Sequence, residues 1–105
     1  MALTKICKIE EIPPGSMKKF NVGQKEILII NLANKFYALA ARCTHADAPL
    51  GQGAIVGDSL ECPWHDGSFK ITDGSVVMGP PKKPLKTYPC STEGQYVLIK
   101  ISLPA

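Results

Sequence analysis

Both histidines of this 105-residue chain stand beside cysteines, and that pairing constrains the fold more than any other feature. The chain reads Cys43-Thr44-His45, then sixteen residues (46–61), then Cys62-Pro63-Trp64-His65. Each half offers one soft sulfur and one borderline nitrogen, so bringing the halves together makes a donor set suited to zinc or to an iron–sulfur centre. Spacing separates the two metals. Zinc modules usually place two to four residues between paired ligands, whereas Cys43 and His45 are separated by one. Ligands that close are strained around one small tetrahedral ion but can each reach a different iron of a binuclear cluster. Cys43 and Cys62 would then share one iron, with His45 and His65 on the other.

Cys-x-His, sixteen residues and Cys-x-x-His resembles the signature of Rieske iron–sulfur proteins, in which two histidines replace two cysteines. The resemblance extends to Pro49-Leu50, Gly57, Pro63-Trp64, Gly67 and Phe69, and onward to Gly79-Pro80-Pro81 and Leu85-Lys86-Thr87-Tyr88. Soluble Rieske ferredoxins carry similar residues at those places. The resemblance implies one [2Fe-2S] cluster per chain, held by Cys43, His45, Cys62 and His65. It also implies an all-β, antiparallel sandwich or barrel, with a cluster-binding subdomain at residues 43 to about 81 inserted in a single domain of 1–105.

Composition sets the wider limits. A net charge of +3, from eleven lysines and one arginine against nine acids, is too mild and dispersed for a nucleic-acid partner. The longest apolar run, Ile27-Leu28-Ile29-Ile30, is far too short to span a bilayer, and the first residues show no leader pattern. These features lead to the expectation of a cytoplasmic, membrane-free monomer. Four cysteines without a secretion signal favour ligand use over a disulfide framework. Cys7 and Cys90, in apolar or strand-like surroundings, are expected to be inert.

Short apolar runs between glycines, prolines and polar turns predict strands over 5–11, 17–22, 26–31, 35–41, 53–56, 59–62, 68–71, 75–78 and 96–101. The tripeptide Leu32-Ala33-Asn34 reads as a hairpin loop, with Asn34 suited to a left-handed turn position. The proline-rich segment after Met78 cannot form a central strand and is expected as a surface connector or cover. In the family that segment resembles a loop over the cluster; Pro80 and Pro81 are expected as turn elements first, with cluster shielding a secondary consequence. No internal repeat is visible.

The sequence contains no nucleophile elbow, phosphate loop or dinucleotide fingerprint, and the two histidines are already committed. The expected role is therefore a one-electron carrier between a reductase and an oxygenase or similar acceptor, rather than an enzyme. Lys82, Lys83 and Lys86 are candidates for steering an acidic partner. Two other readings stand beside this one: a tightly bound Rieske-like small subunit of a larger reductase, such as a nitrite reductase, and a structural zinc module.

Two ferric ions, two sulfides and two thiolates sum to zero charge with neutral imidazoles, which eases electron uptake relative to a four-cysteine cluster. Within the Rieske range, hydrogen bonds to the sulfurs favour the reduced form. High-potential relatives carry hydroxyls two and four residues after the second histidine, where this chain has Gly67 and Phe69, with Ser68 one step off. The disulfide that bridges their ligand loops falls here at Ala48 and Trp64, so no bridge can form. Histidine ligation also leaves a protonated ring nitrogen, so the potential is expected to fall as pH rises. A redox titration is expected to place the midpoint at the low end of the range, at about −150 mV. Gly67→Ser with Phe69→Tyr is expected to raise it.

Overall fold

The computed structural model describes residues 2–43, 49–63, 67–79 and 83–101. Among them are eleven strands and two short 3-10 turns, with no α-helix. In chain order the strands are β1 (Ala2–Lys8), β2 (Met17–Val22), β3 (Lys25–Leu32), β4 (Lys35–Ala40), β5 (Ala54–Val56) and β6 (Ser59–Glu61). They continue as β7 (Ser68–Lys70), β8 (Val76–Met78), β9 (Thr87–Tyr88), β10 (Cys90–Glu93) and β11 (Tyr96–Ile101). They form three antiparallel sheets, ordered β1-β11-β10, β2-β3-β4-β9 and β5-β6-β7-β8. The all-β architecture expected from the turn-rich sequence is the one observed.

The second sheet is the shared wall of two cores. On one side, Ile27, Ile29 and Ala38 meet Cys7, Val97, Ile99 and Ile101 of the first sheet. On the other side, Leu28, Ile30 and Leu39 meet Leu60 and Phe69 of the third sheet, together with Leu50, Ile71 and Leu85. Strand side chains alternate between faces, so a strand apolar at every position can be buried on both. Residues 27–30 of β3 have no solvent exposure on either side.

Two sequence expectations shift in detail. The first strand ends at Lys8, three residues before the predicted 5–11 run does, and Ile9–Glu11 turns as a 3-10 segment. Its Glu11 carboxylate accepts a hydrogen bond from the Lys8 backbone N–H at 2.8 Å, a local bond that competes with strand continuation. The predicted three-residue hairpin loop is a two-residue turn in which both Ala33 (φ 53°) and Asn34 (φ 69°) lie in the left-handed region. A turn of that geometry matches the strand twist. Asn31 supports it by accepting the Asn34 N–H at 2.8 Å and donating from Nδ2 to the Ile12 carbonyl at 2.8 Å.

The segment expected as a connector is also a stitch. Leu85 N–H donates to the Gly74 carbonyl at 2.8 Å, and Ala40 N–H donates to the Lys86 carbonyl at 2.9 Å, which joins the third sheet to the edge of β4. Gly74 (φ +77°) permits this approach, because a Cβ there would run into the Leu85 carbonyl. Pro80, Pro81 and Lys82 lie outside the described residues.

At the end of the β3–β4 ladder, Glu26 gathers two cations. Its carboxylate takes Arg42 Nε at 2.7 Å and Nη2 at 3.3 Å, and Lys19 Nζ at 2.9 Å. Hydrogen bonds from Arg42, then from Lys19, hold this carboxyl down at about 2, against an ordinary 4.5. A depressed carboxylate stabilises the fold above its unfolded value and loses that contribution as pH falls toward the folded one. The urea midpoint of the native chain is therefore expected to exceed that of Glu26→Gln fully at pH 7, with the gap narrowing below about pH 4.5. Separately, Ala33→Gly is expected to raise the urea midpoint, by about 1 kcal/mol of stability, by relieving a left-handed alanine.

Candidate functional site

Strand alternation delivers both candidate cysteines to the same core. Leu39, Ala41 and Cys43 occur at every second position and all belong to the buried cluster between the second and third sheets. Leu60 and Cys62 do the same at the end of β6, and Phe69 and Ile71 repeat the phase around β7. Cys43 is 3% exposed and Cys62 6%. Neither is in a disulfide.

Each cysteine opens a loop whose ends are tied. Arg42 and Pro49 form an antiparallel bridge around residues 43–48, reinforced by Leu50 N–H donating to the Ala41 carbonyl at 2.9 Å. Ala41 N–H in turn donates to the Glu26 carbonyl at 3.1 Å. In the second loop, Cys62 N–H donates to the Gly67 carbonyl at 2.9 Å, closing residues 63–66. His45 falls in the first loop and His65 in the second; both, with Ala48 and Trp64, lie outside the described residues. The donor chemistry fits a cluster with two thiolate ligands, since two reduced cysteines stand in one water-poor core at the roots of loops that each carry an imidazole.

The surroundings follow from the third sheet. Phe69 is fully buried opposite Leu60, and its ring lies in the cluster that holds Cys43 and Cys62. Position 69 thus faces the cysteines through an apolar ring that donates no hydrogen bond. Gly67 and Ser68 are buried beside it, with Ser68 6% exposed and paired with Met78 and Glu61. Lys83 and Lys86 are exposed, and Lys86 Nζ stands 5.4 Å from the centroid of the Tyr88 ring.

Cys7 and Cys90 belong to the opposite core. Burial pushes both thiols up, Cys90 to about 11 with a contribution from nearby Cys7, so both remain protonated at neutral pH. A protonated thiol is a poor ligand and nucleophile. Sequence reasoning missed Glu26 and Arg42: the two are sixteen positions apart and meet only because the β3–β4 ladder ends between them. Four surface clefts among the described residues, about 300 to 330 Å³ each, are lined by neither Cys43 nor Cys62. No helix among the described residues is long and apolar enough to cross a membrane.

The chain is similar to known proteins. The Rieske [2Fe-2S] domain family matches residues 2–89. The biphenyl dioxygenase ferredoxin subunit of Pseudomonas sp. strain KKS102 is 37% identical over 103 residues, covering 97% of this chain and 94% of that protein. Among solved structures, the Sphingomonas yanoikuyae B1 ferredoxin superposes with a TM-score of 0.89 at 27% identity, over 96% of this chain and 100% of the other. A chain in the complex of reduced oxygenase and oxidized ferredoxin in carbazole 1,9a-dioxygenase superposes with a TM-score of 0.87 at 30% identity, over 92% and 91%. A small all-β chain with paired Cys/His loops and near full-length likeness to ferredoxin components is an electron carrier with a Rieske-type [2Fe-2S] cluster, and it belongs to the Rieske [2Fe-2S] domain family.

Proposed function

We propose that this chain is the ferredoxin component of an oxygenase system, taking single electrons from a reductase and passing them to the oxygenase. Cys43 and Cys62 serve as thiolate ligands of one iron, and His45 and His65 as imidazole ligands of the other. The observation that carries this reading is the strand phase that seats both cysteines, reduced, in one core at the roots of two tied loops. When bound, the [2Fe-2S] cluster supplies reversible one-electron storage.

The remaining work falls to the chain. Backbone bonds at the loop roots fix where the four ligand side chains start, which limits rearrangement between redox states. Leu50, Leu60 and Phe69, all without solvent exposure, keep water from the cysteine side. Gly67 and Phe69 offer no hydroxyl at positions 67 and 69, which keeps the potential low. Residues 43 to about 81 act as the cluster-binding part of one domain spanning 1–105.

The ferredoxin that resembles this chain in the carbazole 1,9a-dioxygenase complex is bound to its oxygenase. In the same way, this chain binds an oxygenase, acting as a monomer in the cytoplasm. The exposed Lys83 and Lys86, with Lys82, attract acidic partner surfaces through contacts that are brief and salt-sensitive.

Anaerobically reconstituted protein is expected to contain iron and acid-labile sulfide in equal amounts, and to give a Rieske-type electron-spin spectrum when reduced. Replacing His45 and His65 together by alanine should abolish the chromophore, whereas Cys7→Ser and Cys90→Ser should leave it unchanged. Retention of the reddish colour in the double histidine variant would overturn the ligand assignment. Failure of the reduced protein to reoxidise with any oxygenase of this class would overturn the partner assignment.

A further inference from the structure

The only arginine of the chain precedes Cys43 directly, and its guanidinium is held in a two-point contact by Glu26. Glu26 acts on the first loop twice. Its backbone carbonyl accepts the Ala41 N–H, extending the ladder one residue past β4, and its carboxylate fixes Arg42, which bridges to Pro49 on the returning side. Lys19 from β2 completes the charge group at 2.9 Å. The side chains of Glu26 and Arg42 keep 31% and 41% of their exposure, so ions reach the pair. A planar guanidinium and a carboxylate meet in a geometry that a lysine would not reproduce.

We propose that Glu26 and Arg42 form a charge-compensated anchor that positions the root of the first ligand loop and sets the reduction potential of the cluster, with Glu26 acting through Arg42. This rests on Cys43 being a ligand. Reduction would add one negative charge to the cluster that Cys43 helps to hold. The guanidinium on the adjoining residue favours that charge through its longer-range field, and the carboxylate that holds the guanidinium tempers the effect. Both are positioning residues, since neither needs to touch the iron.

The two single substitutions separate charge control from simple loosening. Arg42→Gln removes the cation and leaves Glu26 uncompensated on that side, so the midpoint potential should fall. Glu26→Gln removes the tempering anion, so the potential should rise. The double variant should return close to the native value. Each shift should shrink at high ionic strength, because the pair is partly exposed. Bleaching of the visible spectrum by an iron chelator should be severalfold faster in both single variants and no faster in the double variant than in the worse single one, the sign of a shared anchor. Potentials moving in the same direction in both single variants, or in neither, would overturn the proposal. A native protein with no Rieske spectrum would instead overturn the ligand assignment, so the two failures are distinguishable.

Discussion

Burial of β3 on both faces is the constraint on which the rest of the molecule depends. Ile27 and Ile29 complete one core, while Leu28 and Ile30 complete the other, and all four are without solvent exposure. A strand shared in this way forces a sheet onto each side of it, so neither flanking sheet can be lost without exposing a fully apolar face. At about 25 cal/mol per Å² of apolar surface, exposing even a few such side chains would exceed the few kcal/mol that separate folded from unfolded small domains. The proposed electron-transfer site inherits this rigidity, because Cys43 and Cys62 belong to one of the two cores.

Placing the cysteines in phase with the strands has a chemical consequence. Cys43 follows Leu39 and Ala41 on one face, and Cys62 follows Leu60 on another that meets it. The proposed thiolate side of the site is therefore built from strand ends, with little backbone freedom, while the proposed imidazoles sit further along loops tied at Arg42–Pro49 and Cys62–Gly67. Sulfur belongs in the dry interior, where low dielectric strengthens its interaction with metal.

The two sets of cysteines illustrate the same physics from opposite sides. Cys7 and Cys90 share a core with Val97 and Ile99, where burial raises their thiols and keeps them protonated. Cys43 and Cys62 are also buried, but each begins a loop that carries a histidine, which supplies the second donor type that a metal centre needs. Burial alone does not make a ligand. What distinguishes the second pair is the histidine carried by each adjoining loop.

Much of this was already written in the order of residues. Alternating or continuous apolar runs marked most strands because side-chain phase is a local property, and the spacing of two cysteines and two histidines pointed to a binuclear iron centre because ligand reach is local as well. β9 and β10 had no such mark: Thr87-Tyr88 and Cys90–Glu93 are short and mostly polar, and they become strands only because β4 and β11 offer them edges. Ala33 could not be foreseen in a left-handed turn, since its strain is imposed by the twist of the strands it joins. Nor did any local signal mark Glu26 as the partner of Arg42. Residue order by itself determined the β periodicity, the donor set and the absence of catalytic motifs, all of which are decided within a few positions along the chain. Tertiary structure alone decided which core receives the cysteines, how the loop roots are closed and which charges gather on Glu26, because those outcomes depend on strands brought side by side from distant parts of the chain.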